Sequence, residues 1–150
     1  MATISANTPF NRARLLISTG VVKMDTTSGF KISAVTAAPT TTGAGSDTHA
    51  TSLEGGLTKA ANVSDVALPA TISWTLNTST NKYELKSSTT TVDISATGNS
   101  GTILGFVMWD DTPTSPANPC LSYMALDTGV ALVNGDKFTL TMNTNGWLNI

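Results

Sequence analysis

Few residues in this chain have types and spacing that could do chemistry. The single histidine, His49, lies in the run Ser46-Asp47-Thr48-His49. Serine, aspartate and histidine are the ingredients of a hydrolytic triad. Four consecutive residues, however, do not converge on one reacting atom, and no second element orients the imidazole. His49 therefore reads as a solvated loop residue. The pair Asp110-Asp111, with Asn118 or a loop carbonyl, offers oxygen ligands to Ca²⁺. A calcium loop spaces its acids at alternate positions and adds a bidentate carboxylate, so this pair reads instead as a solvated turn initiator. A glycosidase needs two carboxylates facing across a cleft. With Glu54, Glu84 and eight aspartates mostly in turn contexts, nothing marks such a pair. Gly43-Ala44-Gly45 lacks the further glycine, lysine and helix that would hold a phosphate. The one cysteine, Cys120, sits between Pro119 and Leu121 and reads as a small buried hydrophobe, with no partner for an internal disulfide. The expectation is a protein with no catalytic residue, no cofactor and no metal site.

The composition narrows the class further. Of 150 residues, 18 are charged, 12% against about 25% in an ordinary soluble domain. Threonine and serine together number 42. Two Glu and two Arg are too few for a coiled coil or helical bundle. A net charge of −2 gives no basic surface for phosphate contacts, so no nucleic-acid partner is expected. The aromatics Phe106, Trp109, Tyr123, Phe138 and Trp147 have apolar neighbours and no interleaved basic residues, as core residues would. The apolar runs are too short to span a bilayer as a helix, and Leu15-Leu16-Ile17 is too short for a secretory signal, so neither a membrane partner nor export is expected.

One helix and a series of strands must position whatever site exists. Phe10, Ala13, Leu16 and Ile17 recur at helical spacing over residues 10–19, Asn7 or Thr8 is placed as the N-cap, Pro9 as the first-turn residue, and Gly20 as the stop. After Gly20 the pattern turns to period two and short apolar runs. Strands are expected over residues 30–34, 70–76, 82–86, 89–95, 102–109, 120–126, 137–142 and 147–150, with Asn145-Gly146 as a two-residue hairpin turn between the last two. Prolines 113, 116 and 119 mark a loop between the central strands. Residues 38–56 are rich in Pro, Gly, Thr and Ser and read as a long loop. The expected fold is mainly β: an antiparallel β-sandwich or jelly-roll-like domain over residues 9–150, with one short N-terminal helix. Residues 1–8 read as an N-terminal arm, because they hold too little apolar content to order within a lone domain.

Three segments of the chain are familiar together. Gly105-Phe106-Val107-Met108-Trp109-Asp110-Asp111-Thr112 is followed by Pro119-Cys120-Leu121-Ser122-Tyr123, and the run from Gly135 through Phe138-Thr139-Leu140-Thr141 to Gly146-Trp147-Leu148 completes the set. With the helix 11–18, the strand 30–34 and Glu54-Gly55-Gly56-Leu57, this order resembles a family of small structural proteins of tailed-bacteriophage virions. Ala125 and Leu126 stand where the family pattern has an acidic residue and Phe. The resemblance implies a non-enzymatic role in the particle, foremost as a capsid decoration or cement protein that stabilises the assembled head. It implies the major capsid protein or other virion proteins as partners, a homo-oligomer with a trimer favoured, and assembly into the virion in the host bacterial cytoplasm. A tail, neck or fibre-associated component and a carbohydrate-binding module remain the alternatives. Met1, Ala2, Thr3, Ile4, Ser5, Ala6, Asn7 and Thr8 are the candidate capsid-contact residues.

Overall fold

The computed structural model describes residues 2–23, 29–39, 58–68, 71–88, 90–114, 118–142 and 146–149. The long loop expected over 38–56, with His49, Glu54 and Gly43-Ala44-Gly45, falls almost wholly outside them, as do Asn145 and Met1.

The chain folds as mainly antiparallel β-structure with one short helix, arranged as a sandwich. The strands are β1 (Ile4–Pro9), β2 (Phe30–Val35), β3 (Val66–Ala67), β4 (Ile72–Asn77), β5 (Lys82–Ser87), β6 (Thr91–Ser95), β7 (Thr102–Asp110), β8 (Cys120–Ala131), β9 (Lys137–Thr141) and β10 (Leu148–Asn149), and the helix is α1 (Asn11–Ser18). One sheet runs β1-β8-β7-β2-β3, a second β10-β5-β4, and β6 pairs with β9.

Strand β7 is central to the large sheet. It pairs with β2 from Phe30 opposite Asp110 to Val35 opposite Gly105, and with β8 along its other side. Opposed residues share a face, so Phe30, Ile32, Ala34, Phe106, Met108 and Met124 look inward together. Phe30 meets Trp74 of β4 edge-on at 6.5 Å, and Phe106 meets Phe138 of β9 at 5.2 Å. The inner face of the large sheet thus covers both smaller ones. Phe106 and Trp109 are both buried, three residues apart, and lie on opposite faces. A strand covered on both faces needs apolar residues at successive positions, which is why 103–109 reads as a continuous run.

Helix α1 packs against β8 and buries Ala13 and Leu16 beside Phe10. Its expected side-chain cap is not there. Pro9 ends β1, and Phe10 is the N-cap, extended and with no capping side chain. Phe10 instead donates its N–H to the Leu121 carbonyl at 2.9 Å, so the strand hands directly over to the helix. The stop at Gly20 is as expected. Gly20, at φ +73°, donates to the Ile17 carbonyl and Val21 to the Leu16 carbonyl, which is the Schellman pattern.

Two further expectations are corrected. Residues 1–8 do not stand apart as an arm, since Ile4–Pro9 pairs with β8 from Leu126 to Ser122. Ladder hydrogen bonds, rather than apolar burial, order this segment, and hydropathy does not register them. Thr3 adds its N–H and hydroxyl to the Asp127 carboxylate, each at 2.9 Å. The last two strands are not a hairpin: β9 pairs with β6, whereas β10 crosses to β5. Gly146, at φ +88°, lies against the Leu85 carbonyl, so close that a Cβ there would clash with the backbone.

Removal of the Phe106 ring leaves a cavity between the two layers. Phe106→Ala is expected to cost about 3–5 kcal/mol in chemical denaturation, with unchanged strand content in the folded protein.

Candidate functional site

One cluster of polar side chains lies at the end of β7, on the outer face of the large sheet. Trp109 is nearly buried there, and its indole N–H donates to Ser33 Oγ at 2.9 Å. Ser33 in turn donates to the Asp65 carboxylate, and Lys59 Nζ donates to the other oxygen of Asp65 at 2.8 Å. Lys31 pairs with Asp111. The ammonium groups of Lys31 and Lys59 lie 5.4 and 5.6 Å from the centroid of the Trp109 ring, within cation–π range. The hydrogen bond to Asp111, chiefly, raises the Lys31 pKa. Each charge in this network has an opposite charge or a hydroxyl against it. The arrangement clamps the tryptophan and offers no free base or nucleophile.

Asp111 is exposed, as the solvated turn acid expected from sequence would be, but it is not free: Lys31 pairs with it, and it lies against Gly29. Asp110 departs further, being fully buried. Its Oδ1 accepts the Thr112 N–H at 3.0 Å, the turn bond that a loop-opening aspartate makes, while Oδ2 has no partner. Burial, chiefly, pushes its pKa up, opposed by the Thr112 backbone and hydroxyl and by the Gly29 backbone, with the Asp111 charge adding to the rise. The sequence missed this because Asp-Asp-Thr-Pro is a surface turn by composition, and β7 runs on to residue 110 before turning.

Cys120 is buried as expected, opposite Trp109, and desolvation pushes its thiol up to about 12. A thiol at that value is inert at neutral pH. Glu84 is also buried. Lys86, at 2.8 Å, and the Asn77 amide, at 2.7 Å, hold it ionised and lower its pKa. Asp110 and Cys120 are close across the β7–β8 ladder, where the Asp110 N–H donates to the Pro119 carbonyl, whereas Glu84 lies on β5 of the second sheet. Among the described residues no three His, Cys, Asp or Glu side chains come together, and no helix is long and apolar enough to cross a membrane.

The N-terminal residues lie at a different kind of surface. Ala2, Thr3 and Ile4 line a groove of about 340 Å³ against Phe138, Leu140 and Met142 of the β9 segment. It adjoins a second concavity of about 580 Å³, lined by Ala2, Thr128, Val130, Leu132 and Phe138. The lining is apolar and hydroxyl-bearing, with Lys137 the one charged residue. Asn7 is committed inward, its side-chain amide donating to the Trp147 carbonyl at 2.9 Å, and Thr8 is paired opposite Tyr123 on β8. Of Ser5 and Ala6 only the backbone is described; Ala6 lies opposite Ala125.

Comparison of the chain with protein-family models, curated proteins and solved structures finds no match.

The titration of Asp110 is directly testable. A carboxyl whose folded pKa lies above its unfolded value favours folding below the unfolded value. That contribution is lost as pH rises through the folded one. Asp110→Asn keeps the Oδ1 acceptor and removes the charge. The variant is expected to be more stable than the parent at pH 7, by on the order of 1 kcal/mol, with the gain vanishing near pH 3. Urea denaturation across that pH range checks both the sign and the slope. For Cys120, alkylation by iodoacetamide at pH 8 is expected only at the rate of global unfolding.

Proposed function

We propose that this chain is a non-enzymatic structural protein of a tailed-bacteriophage virion, a capsid decoration or cement protein that binds the assembled head and stabilises it. The observation that carries the reading is the groove beside Ala2, Thr3 and Ile4. It is an open, nearly uncharged concavity at the side of the sandwich, where another protein's surface can bury apolar and hydroxyl groups at little desolvation cost. The order of segments from Gly105 to Leu148 that resembles the virion family supports the same reading. So does the network at Trp109, whose charges are consumed by one another. In this reading the partners are the major capsid protein or neighbouring virion proteins, the copies associate with one another, and assembly takes place in the host cytoplasm.

The contact is assigned to residues 2–4 and the β9 side of the groove, not to residues 1–8 as a detachable arm. Deleting 1–8 would strip β8 of its edge partner, so a cleaner variant is Thr141→Arg. Thr141 is exposed, lines the groove, and keeps its backbone pairing with Thr91. The variant is expected to fold with the parent melting temperature and to lose occupancy on heads prepared without the protein, read by cryo-EM and by gel densitometry of purified particles. Full occupancy of the variant would remove the groove from the contact. A parent protein found in tens of copies at the tail, rather than hundreds over the head, would replace decoration with the tail-associated reading.

A further inference from the structure

Free strand edges are templates for pairing with another chain, and folded proteins blunt them with short strands, prolines, bulges or charges. Five of the six edges here are blunted. β3 and β10 have two residues each. β1 carries Pro9 and a register shift between Ile4 and Ala6. β6 bears Asp93 and β9 bears Lys137. β4 has none of these devices. It is six residues long, Ile72-Ser73-Trp74-Thr75-Leu76-Asn77, with no charge, no proline and an unbroken register against β5. Among the described residues nothing pairs with its outer side.

We infer that β4 is a self-association edge, and that its occupant is β4 of a second copy of this chain, paired antiparallel about a two-fold axis at Trp74. The backbone sets the register. Ser88 N–H bonds the Thr71 carbonyl, and the Leu85 carbonyl is taken by Trp147 N–H on the β10 side. The residues of β4 that bond β5 are therefore 71, 73, 75 and 77, and the outward N–H and C=O groups are those of Ile72, Trp74 and Leu76. These three also share the face that carries Trp74 onto Phe30. Centring the pair on Trp74 sets Ile72 opposite Leu76 of the second copy and Ser73 opposite Thr75, so that every outward backbone group meets a partner. Apolar residues then face apolar ones, hydroxyls face hydroxyls, and no like charges oppose along the strand.

Side chains at this edge support the same occupant. Leu76 and its cross-strand neighbour Tyr83 are 44% and 48% exposed, on the inward-looking side of a hairpin that overhangs the core.

The test is sedimentation velocity of the isolated full chain, with Trp fluorescence read in parallel, for the parent and for Leu76→Pro and Thr75→Lys. Proline at 76 removes an N–H that faces the free edge and leaves the β4–β5 ladder whole. Lysine at 75 sets a long charged side chain opposite Ser73 of the second copy, across the pairing itself, in a strand that otherwise carries no charge. The parent is expected to sediment as a concentration-dependent dimer, and both variants as folded monomers with near-parental melting temperatures. Should Leu76→Pro unfold, Thr75→Lys carries the test alone. A parent that is monomeric from low to high micromolar concentration overturns the inference. So does a parent with the mass of three chains, or a dimer that survives both substitutions. None of these outcomes depends on whether the protein binds a virion.

Discussion

Strand β7 has a ladder partner on each side and buried side chains on both faces, and each layer of the protein takes its position from that one strand. Its inward residue Phe106 meets Phe138 of β9, Met108 beside it is fully buried, and the outward residues Val107 and Trp109 are buried on the other face. Moving β7 by one residue against β2 or β8 would exchange these sets. Gly105 reinforces the register, because a Cβ there would meet the Met124 carbonyl and the Tyr123 ring, and only glycine lets β8 approach β7 so closely at that level. The Tyr123 hydroxyl then donates to the Leu104 carbonyl at 3.1 Å, fixing the outer face where the register shift begins.

A chain with so few charges must satisfy its buried polar groups by other means, and serine hydroxyls do much of that work. Ser33 takes the Trp109 indole and passes a hydrogen bond to Asp65; Ser87 takes the Trp147 indole; Ser100 accepts the Leu132 N–H. A hydroxyl both donates and accepts and costs little side-chain entropy to fix, so it joins two partners where an amide or carboxylate would leave a group over. Asp110 is one of the exceptions, with Trp74 Nε1 and Ser122 Oγ among the others. Its charge is desolvated at the point where β7 ends, and only half of the carboxylate is bonded.

Most of the architecture was legible in the sequence, because period-two patterning survives wherever one strand face is wet. The strands at 30–35, 72–77, 82–87, 91–95 and 102–110 appear within a residue or two of their expected places, as does the helix closed by Gly20. What was not legible depends on partners distant in sequence. β1 is held by backbone bonds to β8, more than a hundred residues away, and nothing in Ile-Ser-Ala-Asn-Thr-Pro encodes that partner. Asn145-Gly146 has the composition of a hairpin turn, yet the following strand joins a different sheet, where Trp147 buries its ring against Ser87. Burial of Asp110 is of the same kind: the residue looks like the first of a turn and is also the last of the central strand.

The two surfaces singled out above lie on different sides of the sandwich. β10 touches β1, whereas β4, at the other end of the same small sheet, is tied through Trp74 to Phe30 of β2. β1 and β2 are three strand spacings apart in the large sheet, about 14 Å. A two-fold axis at β4 would therefore sit at the opposite edge of the small sheet from the strand that touches β1. Two N-terminal grooves on one rigid body convert the second contact with a repeating surface into an intramolecular event, and avidity follows with no new contact chemistry. That consequence matters most for a weakly charged domain. If the proposed head contact and the β4 pairing both hold, such a domain, with little long-range electrostatic attraction to draw on, would gain residence time on a lattice chiefly by holding it in two places at once.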